Sequence, residues 1–152
     1  MSFTALPDLT LPSRWSAESQ RPTRTKTELQ VSTAAGGVVT VVVERCGAGR
    51  LRDAYPVSTH DVEVQTQAAI TPDELTSLLR DLVGAIEQQD PECRRVVYVA
   101  PEMDVTLIGS AESAGFRYVL DVDLPEGPVS LMVAEPTWVT KVDMDLDRVP
   151  QT

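Results

Sequence analysis

The chain has 152 residues, 42% of them hydrophobic, which suffices for one domain with its own core and without a metal or disulfide staple. Twenty-three acids against thirteen bases leave a formal charge of −10, which repels phosphate backbones and argues against nucleic acid as a partner. Two cysteines, Cys46 and Cys93, are too few for a disulfide framework or a zinc site and are expected to be free thiols.

The N-terminus has no basic head followed by an apolar stretch, and no run approaches the ~18 apolar residues of a membrane helix, so a cytoplasmic protein without membrane contact is expected. Residues 1–25 read as an irregular arm that either lies on the domain through Phe3 and Trp15 or is partly disordered. The charge is uneven there: residues 1–26 carry Arg14, Arg21, Arg24 and Lys26 against Asp8 and Glu18, and the remainder is acidic.

From Lys26 the pattern becomes that of strands. Thr27 to Ser32 alternates, Ala34 to Gly37 is turn chemistry, and Val38 to Glu44 is a nearly continuous β-branched run, a hairpin whose second strand is expected to be buried on both faces. Cys46-Gly-Ala-Gly49 reads as a turn, since no Lys-Ser/Thr follows it to make a phosphate cradle. Arg50 to Val57 then reads as a returning strand. Val62 to Ala69 alternates again, with Val62, Val64, Thr66 and Ala68 toward a core and Glu63, Gln65 and Gln67 on a polar face.

Thr71-Pro-Asp-Glu74 is a capping box with Pro at the first helical position. It opens a helix with a stripe of Leu75, Leu78, Leu79, Leu82, Val83 and Ile86, which Asp90-Pro91 ends after about Gln89. Arg95 to Ala100 is a β-branched strand, expected to run parallel to Val62–Ala69 with the helix as crossover. Asp104 caps a second helix bearing Val105, Leu107, Ile108, Ala111 and Ala114, and Gly115 supplies the left-handed residue that ends it. Two strands follow, Arg117 to Leu124 and Val129 to Ala134, joined by Pro125-Glu-Gly-Pro128. The expected organisation is an arm (1–25), one domain (26–136) and an acidic tail (137–152) whose alternating Val142 to Arg148 could pair as an edge strand. Val129 to Val133 and that tail are exposed edges in this reading, and pairing across a two-fold axis would cover them in a homodimer.

The strand, helix and hairpin order, with Glu112-Ser-Ala-Gly-Phe116 at the helix exit and "AESAGFRYVLDVDLPEGPVSLMVAE" through the hairpin, resembles the C-terminal half of the GCN5-related N-acetyltransferase (GNAT) superfamily. It is nearest the siderophore-biosynthesis branch and covers roughly residues 60 to 135. The resemblance implies an α+β fold, a mixed, mainly antiparallel sheet with two packed helices. It also implies acetyl-CoA bound where Val62–Ala69 leads into the next helix through an Arg/Gln-x-x-Gly-x-Gly/Ala loop, which puts Thr71 and Leu75 at cofactor-binding positions. That loop is degenerate here: neither Gly nor Arg lies between Ile70 and the cap, and Asp73 and Glu74 stand in the first turn. Where family members place an acid-donating Tyr, four residues before the Gly, this chain has Ala111.

Glu63 is the candidate base, since it projects from the polar face where an amine could sit. The lone His60, beside Asp61, reads as a turn residue. Glu102, Asp104, Asp121 and Asp123 form a further acidic set for which caps and strand faces suffice, and no metal is expected. Tyr98 and Tyr118 read as packing residues. Two functions follow from the resemblance: an N-acyltransferase moving an acyl group from CoA to an amine, and a non-catalytic binding module of the same fold.

Overall fold

The computed structural model describes residues 4–68 and 70–135. The acidic tail expected at 137–152, its alternating Val142 to Arg148, and the Phe3 anchor lie outside these residues. The described elements are β1 (Ser16–Gln20), β2 (Lys26–Ser32), β3 (Val38–Arg45), a 3-10 turn (Cys46–Ala48), β4 (Val62–Ala68), α1 (Pro72–Gln89), β5 (Val96–Pro101), α2 (Val105–Ser113), β6 (Arg117–Leu124) and β7 (Gly127–Ala134). All seven strands join one sheet in the order β1-β2-β3-β4-β5-β7-β6. Neighbours are antiparallel except β4 and β5, which run parallel with α1 between them in the chain. This is the mixed, mainly antiparallel α+β sheet with two helices that the resemblance implies.

Strand alternation divides the core into two clusters. Val96, Tyr98 and Ala100 of β5 join the α1 stripe (Leu75, Leu78, Leu79, Leu82 and Ile86) with Val39, Val41, Val43, Val62 and Val64. Val97 and Val99 point the other way, to Cys46, Leu51, Val129, Leu131 and Val133. The β5 run is therefore apolar at every buried position because both of its faces are covered. The run in β3 has a different explanation. Its burial alternates, with Val39, Val41, Val43 and Arg45 inward and Val38 exposed, so it is not the doubly buried strand expected. β-branched residues suit a half-buried strand equally well.

Residues 50–57 do not form the expected returning strand. Arg52 N–H donates to Gly49 O and Ala54 N–H to Leu51 O, so the segment closes on itself in successive turns. Its one fully buried side chain, Leu51, plugs the second cluster. The arm is also more ordered than its sequence suggests. Ser16–Gln20 pairs with β2 as an edge strand although all five residues are exposed. Trp15 holds it, buried against the main cluster and donating through Nε1 to Asp81 Oδ2 at 2.7 Å. The strands with a free edge among the described residues are β1 and β6. Val129 to Val133, expected at an edge, lies in β7 between β5 and β6, because the hairpin folds outward from β7.

Cys46 and Cys93 are free and buried, and burial pushes the Cys93 thiol up to about 12. No helix among the described residues is long and apolar enough to cross a membrane.

Candidate functional site

The parallel ladder between β4 and β5 consists of Val62↔Val96, Glu63↔Val97 and Val64↔Tyr98. Beyond it β4 stays with β3 as far as Ala68↔Val39, whereas β5 stays with β7 as far as Pro101↔Val129. The two strands thus part midway and open a gap in the sheet at the end where α1 begins. A hydrogen bond spans it on the helix side, between Thr66 Oγ1 and Tyr98 Oη at 2.6 Å. Tyr98 is fully buried, its ring edge-on to Phe116 with centroids 6.0 Å apart, and burial raises its phenol above the ordinary value.

Ile70 leads from β4 into the cap of α1. Thr71 Oγ1 accepts from Glu74 N–H at 3.2 Å, and Glu74 Oε1 accepts from Thr71 N–H at 3.0 Å, a reciprocal capping box with Pro72 following the cap. Leu75 N–H donates to Thr71 O as the helix begins, and the Leu75 side chain is buried in the main cluster. The structure thus places Thr71 and Leu75 side by side at the helix start, engaged with the helix itself. The bond from Thr71 N–H, then one from the Thr33 side chain, lowers the Glu74 carboxyl below its ordinary value. Ala111, where the resemblance leads one to expect a Tyr, is fully buried and its carbonyl accepts from Phe116 N–H.

Glu63 lies 1% exposed, so the polar face expected along β4 is covered at this point. The cover is the 46–57 segment. Arg50 donates from Nε and Nη2 to Glu63 Oε2 at 3.1 and 2.9 Å, and from Nη1 to Glu126 in the β6–β7 turn. Gln65 Nε2 adds 2.7 Å to the same oxygen, while Oε1 is buried without a hydrogen-bond partner. Glu44 stands opposite Glu63 in the β3–β4 register and packs against Gly49, where an added Cβ would come within 2.6 Å of its carboxylate. Burial first, and then the Glu63 charge, raise the Glu44 carboxyl, against the lowering effects of Lys26 and Arg50. The arrangement is a guanidinium shared by two carboxylates, with one buried carboxylate oxygen left without a partner.

His60 lies at the other end of β4, in a second network. Its Nδ1 is 3.0 Å from Asp90 Oδ2 and its Nε2 is 3.0 Å from Glu92 Oε2. Arg45, 2% exposed, reaches Asp90 Oδ2 at 2.7 Å and donates to the carbonyls of His60 and Ala5. Asp61 is wholly buried and accepts from Tyr55 Oη at 2.8 Å and Ser58 N–H at 3.0 Å. Burial alone would raise Asp90, but hydrogen bonds from His60 and Arg45 outweigh it and hold the carboxyl below its ordinary value. Because the folded-state pKa is depressed, this stabilisation is present above the unfolded value, near 3.8, and is lost as pH falls through the folded one. Asp90→Asn is accordingly expected to flatten the acid limb of the stability curve below about pH 4 while lowering stability at neutrality. Urea midpoints measured from about pH 2 to 7 test this. An acid limb unchanged by the substitution would refute the assignment.

Of the other acids, Asp104 caps α2 by accepting from Leu107 N–H at 3.1 Å, and Asp121 accepts from Ser130 Oγ at 2.7 Å. Tyr118 is half exposed on β6. Among the described residues no group of three His, Cys, Asp or Glu side chains could hold a metal ion. Sequence reasoning does not single out the buried charges Arg45 and Asp61 or the partly buried Arg50. Arg45 carried a signal, since it continues the inward register of Val39, Val41 and Val43, whereas Arg50 and Glu63 meet only through tertiary folding.

The fold is that of the GCN5-related N-acetyltransferases. Aminoglycoside acetyltransferase AAC(6')-Ib in complex with paromomycin and acetyl-CoA superposes with a TM-score of 0.64 at 19% identity, over 77% of this chain and 68% of that one. The same enzyme with coenzyme A and kanamycin gives 0.65 at 18% identity, over 78% and 72%. A putative phosphinothricin N-acetyltransferase gives 0.56 at 12% identity, over 76% and 74%. No protein-family model and no curated protein matches the sequence.

Proposed function

We propose that this chain is a member of the acetyltransferase superfamily, of N-acyltransferase descent, whose CoA pyrophosphate site has been closed by a helix cap and whose fold serves as a binding module. The observation that carries this is the reciprocal cap between Thr71 and Glu74. A helix N-terminus holds phosphate through N–H groups left free by the helix. Here Pro72 has no N–H and Glu74 N–H is spent on Thr71, which leaves to the first turn the N–H of Asp73, a residue whose own carboxylate opposes an anion. The carboxylates of Asp73 and Glu74 occupy the same turn, stabilising the helix dipole and opposing a second anion. The residues present do not fit the pyrophosphate of CoA, and the buried Ala111 offers no phenol to a leaving thiolate.

Acetyl-CoA is therefore expected to leave thermal unfolding unshifted at concentrations where a ligand at 100 times its Kd would add about 2.7 kcal/mol. Asp73→Gln with Glu74→Gln should improve binding without creating turnover, and Gln at 74 preserves the capping box. The competing reading is N-acyl transfer to an amine with Glu63 as base, and the unpartnered Oε1 of Glu63 favours it. Tight binding of acetyl-CoA together with turnover that falls in Glu63→Gln would establish that reading and discard the first.

A further inference from the structure

A groove of ≈ 200 Å³ lies on the sheet face opposite the helices, at the end of β5 away from the gap. Val97 of β5 with Leu131 and Val133 of β7 give it an apolar floor on the sheet, and Leu120 of β6 with Tyr55 and Pro56 of the segment after β3 line it further. Two basic residues, Arg95 and Arg117, complete its lining. Their placement follows from register. Arg117 pairs with Val133, which pairs with Val97, so the three form a row across β6, β7 and β5. Arg95 precedes Val97 by two residues and shares its face.

We propose that this groove binds a small amphipathic carboxylate, its apolar body on the valine and leucine floor and its head between Arg95 and Arg117. Each guanidinium is oriented by a neighbour. Arg95 donates through Nη1 to Pro56 O at 3.2 Å, lies 3.5 Å from Asp61 Oδ2 and sits 5.8 Å from the centroid of the Tyr55 ring. Arg117 donates from Nε and Nη2 to Glu135 Oε1 at 3.2 and 2.5 Å. A guanidinium has five N–H donors in a fixed fork, so these bonds leave capacity for a carboxylate.

Size and polarity narrow the ligand. The volume falls below the ~300–1,000 Å³ usual for drug-sized ligands, which restricts the occupant to the scale of benzoate or a short fatty acid. Free phosphate would leave the apolar floor unfilled, and a cationic ligand would have to compete with Arg95 and Arg117 for the carboxylates of Asp61 and Glu135, which they already engage. The groove shares no lining residue with the α1 cap, so the proposal stands independently of the CoA reading.

The test is an amide-resolved NMR titration of the full chain with benzoate, using benzyl alcohol and benzamidine as neutral and cationic counterparts. Benzoate is expected to give saturable shifts at Val97, Leu120, Leu131 and Val133, with benzyl alcohol about tenfold weaker for want of the charge-assisted bonds. Benzamidine should give none. Arg117→Gln should weaken benzoate about tenfold and leave benzyl alcohol unchanged. Arg95→Gln also touches buried Asp61 and could unfold the chain, whereas the Arg117 side chain is 65% exposed and its variant keeps the test decisive. Three results would overturn the proposal: no saturable shift at those amides, equal affinity for benzoate and benzyl alcohol, or a mass that doubles with concentration while those same amides move, which would assign the groove to a second copy of the chain.

Discussion

Replacing Arg45 with Met is expected to cost about 3–5 kcal/mol, a large share of the ~5–15 kcal/mol that holds a domain together. The side chain is 2% exposed and serves three acceptors in different parts of the chain: Asp90 after α1, the carbonyl of His60 before β4, and the carbonyl of Ala5 in the arm. Met fills much of the volume, so the loss measures polar groups left without a donor more than a cavity. Asp90 would keep His60, which is itself divided between Asp90 and Glu92. Removing the acid as well should recover part of the loss, because the buried uncompensated charge goes with it, so Arg45→Met with Asp90→Asn should cost less than the two single changes added. Urea unfolding of the four proteins at neutral pH, with slopes compared to verify that only the midpoint moves, gives the coupling directly. A single-variant loss below about 1 kcal/mol would mean that the pair behaves as a surface bridge and that Arg45 does not tie the arm to the core.

The same residues show why some of the molecule can be read from its sequence and some cannot. The β4, α1, β5 unit was legible because its signals are local: a Thr-Pro-Asp-Glu cap, a 3.6-residue leucine stripe, an Asp-Pro stop and a β-branched run. The α2 exit was legible for the same reason, since Gly115 adopts φ +104, a conformation that side-chain-bearing residues avoid. The segment after β3 misled because its composition permits a strand, and only the anchoring of Leu51 and the pairing of Arg50 with Glu63 decide for turns. β1 misled in the opposite direction. Its Ser-Ala-Glu-Ser-Gln has no apolar alternation, and the partner strand and Trp15 supply what local propensity lacks. The candidate site was half legible: alternation identified the strand that carries Glu63, but it could not show that a guanidinium thirteen residues upstream would cover the carboxylate.

Tyr98→Ala is expected to cost about 3–5 kcal/mol, and Tyr98→Phe only about 1 kcal/mol. The ring belongs to the main cluster, fully buried, edge-on to Phe116 and beside the α1 leucines, so truncation leaves a cavity that a sheet held by ladders on both sides of β5 cannot readily close. The hydroxyl has one partner, Thr66 Oγ1 at 2.6 Å, and Thr66 is half-buried, so water can replace the lost bond from that side. The two substitutions therefore separate packing from bridging. Tyr98 is also the last rung of the β4–β5 ladder, and its bond to Thr66 is the link across the place where the strands part. Losing the hydroxyl should thus loosen the gap more than it lowers global stability. Amide exchange reads this: in Tyr98→Phe, protection at Thr66 and Gln67 should fall more than protection at Val41 or Val43 in β3, while Tyr98→Ala should lower all of them together. A Phe variant as unstable as the Ala variant would show that the hydroxyl bond holds the sheet, and exchange falling uniformly in both would show that the gap has no independent motion.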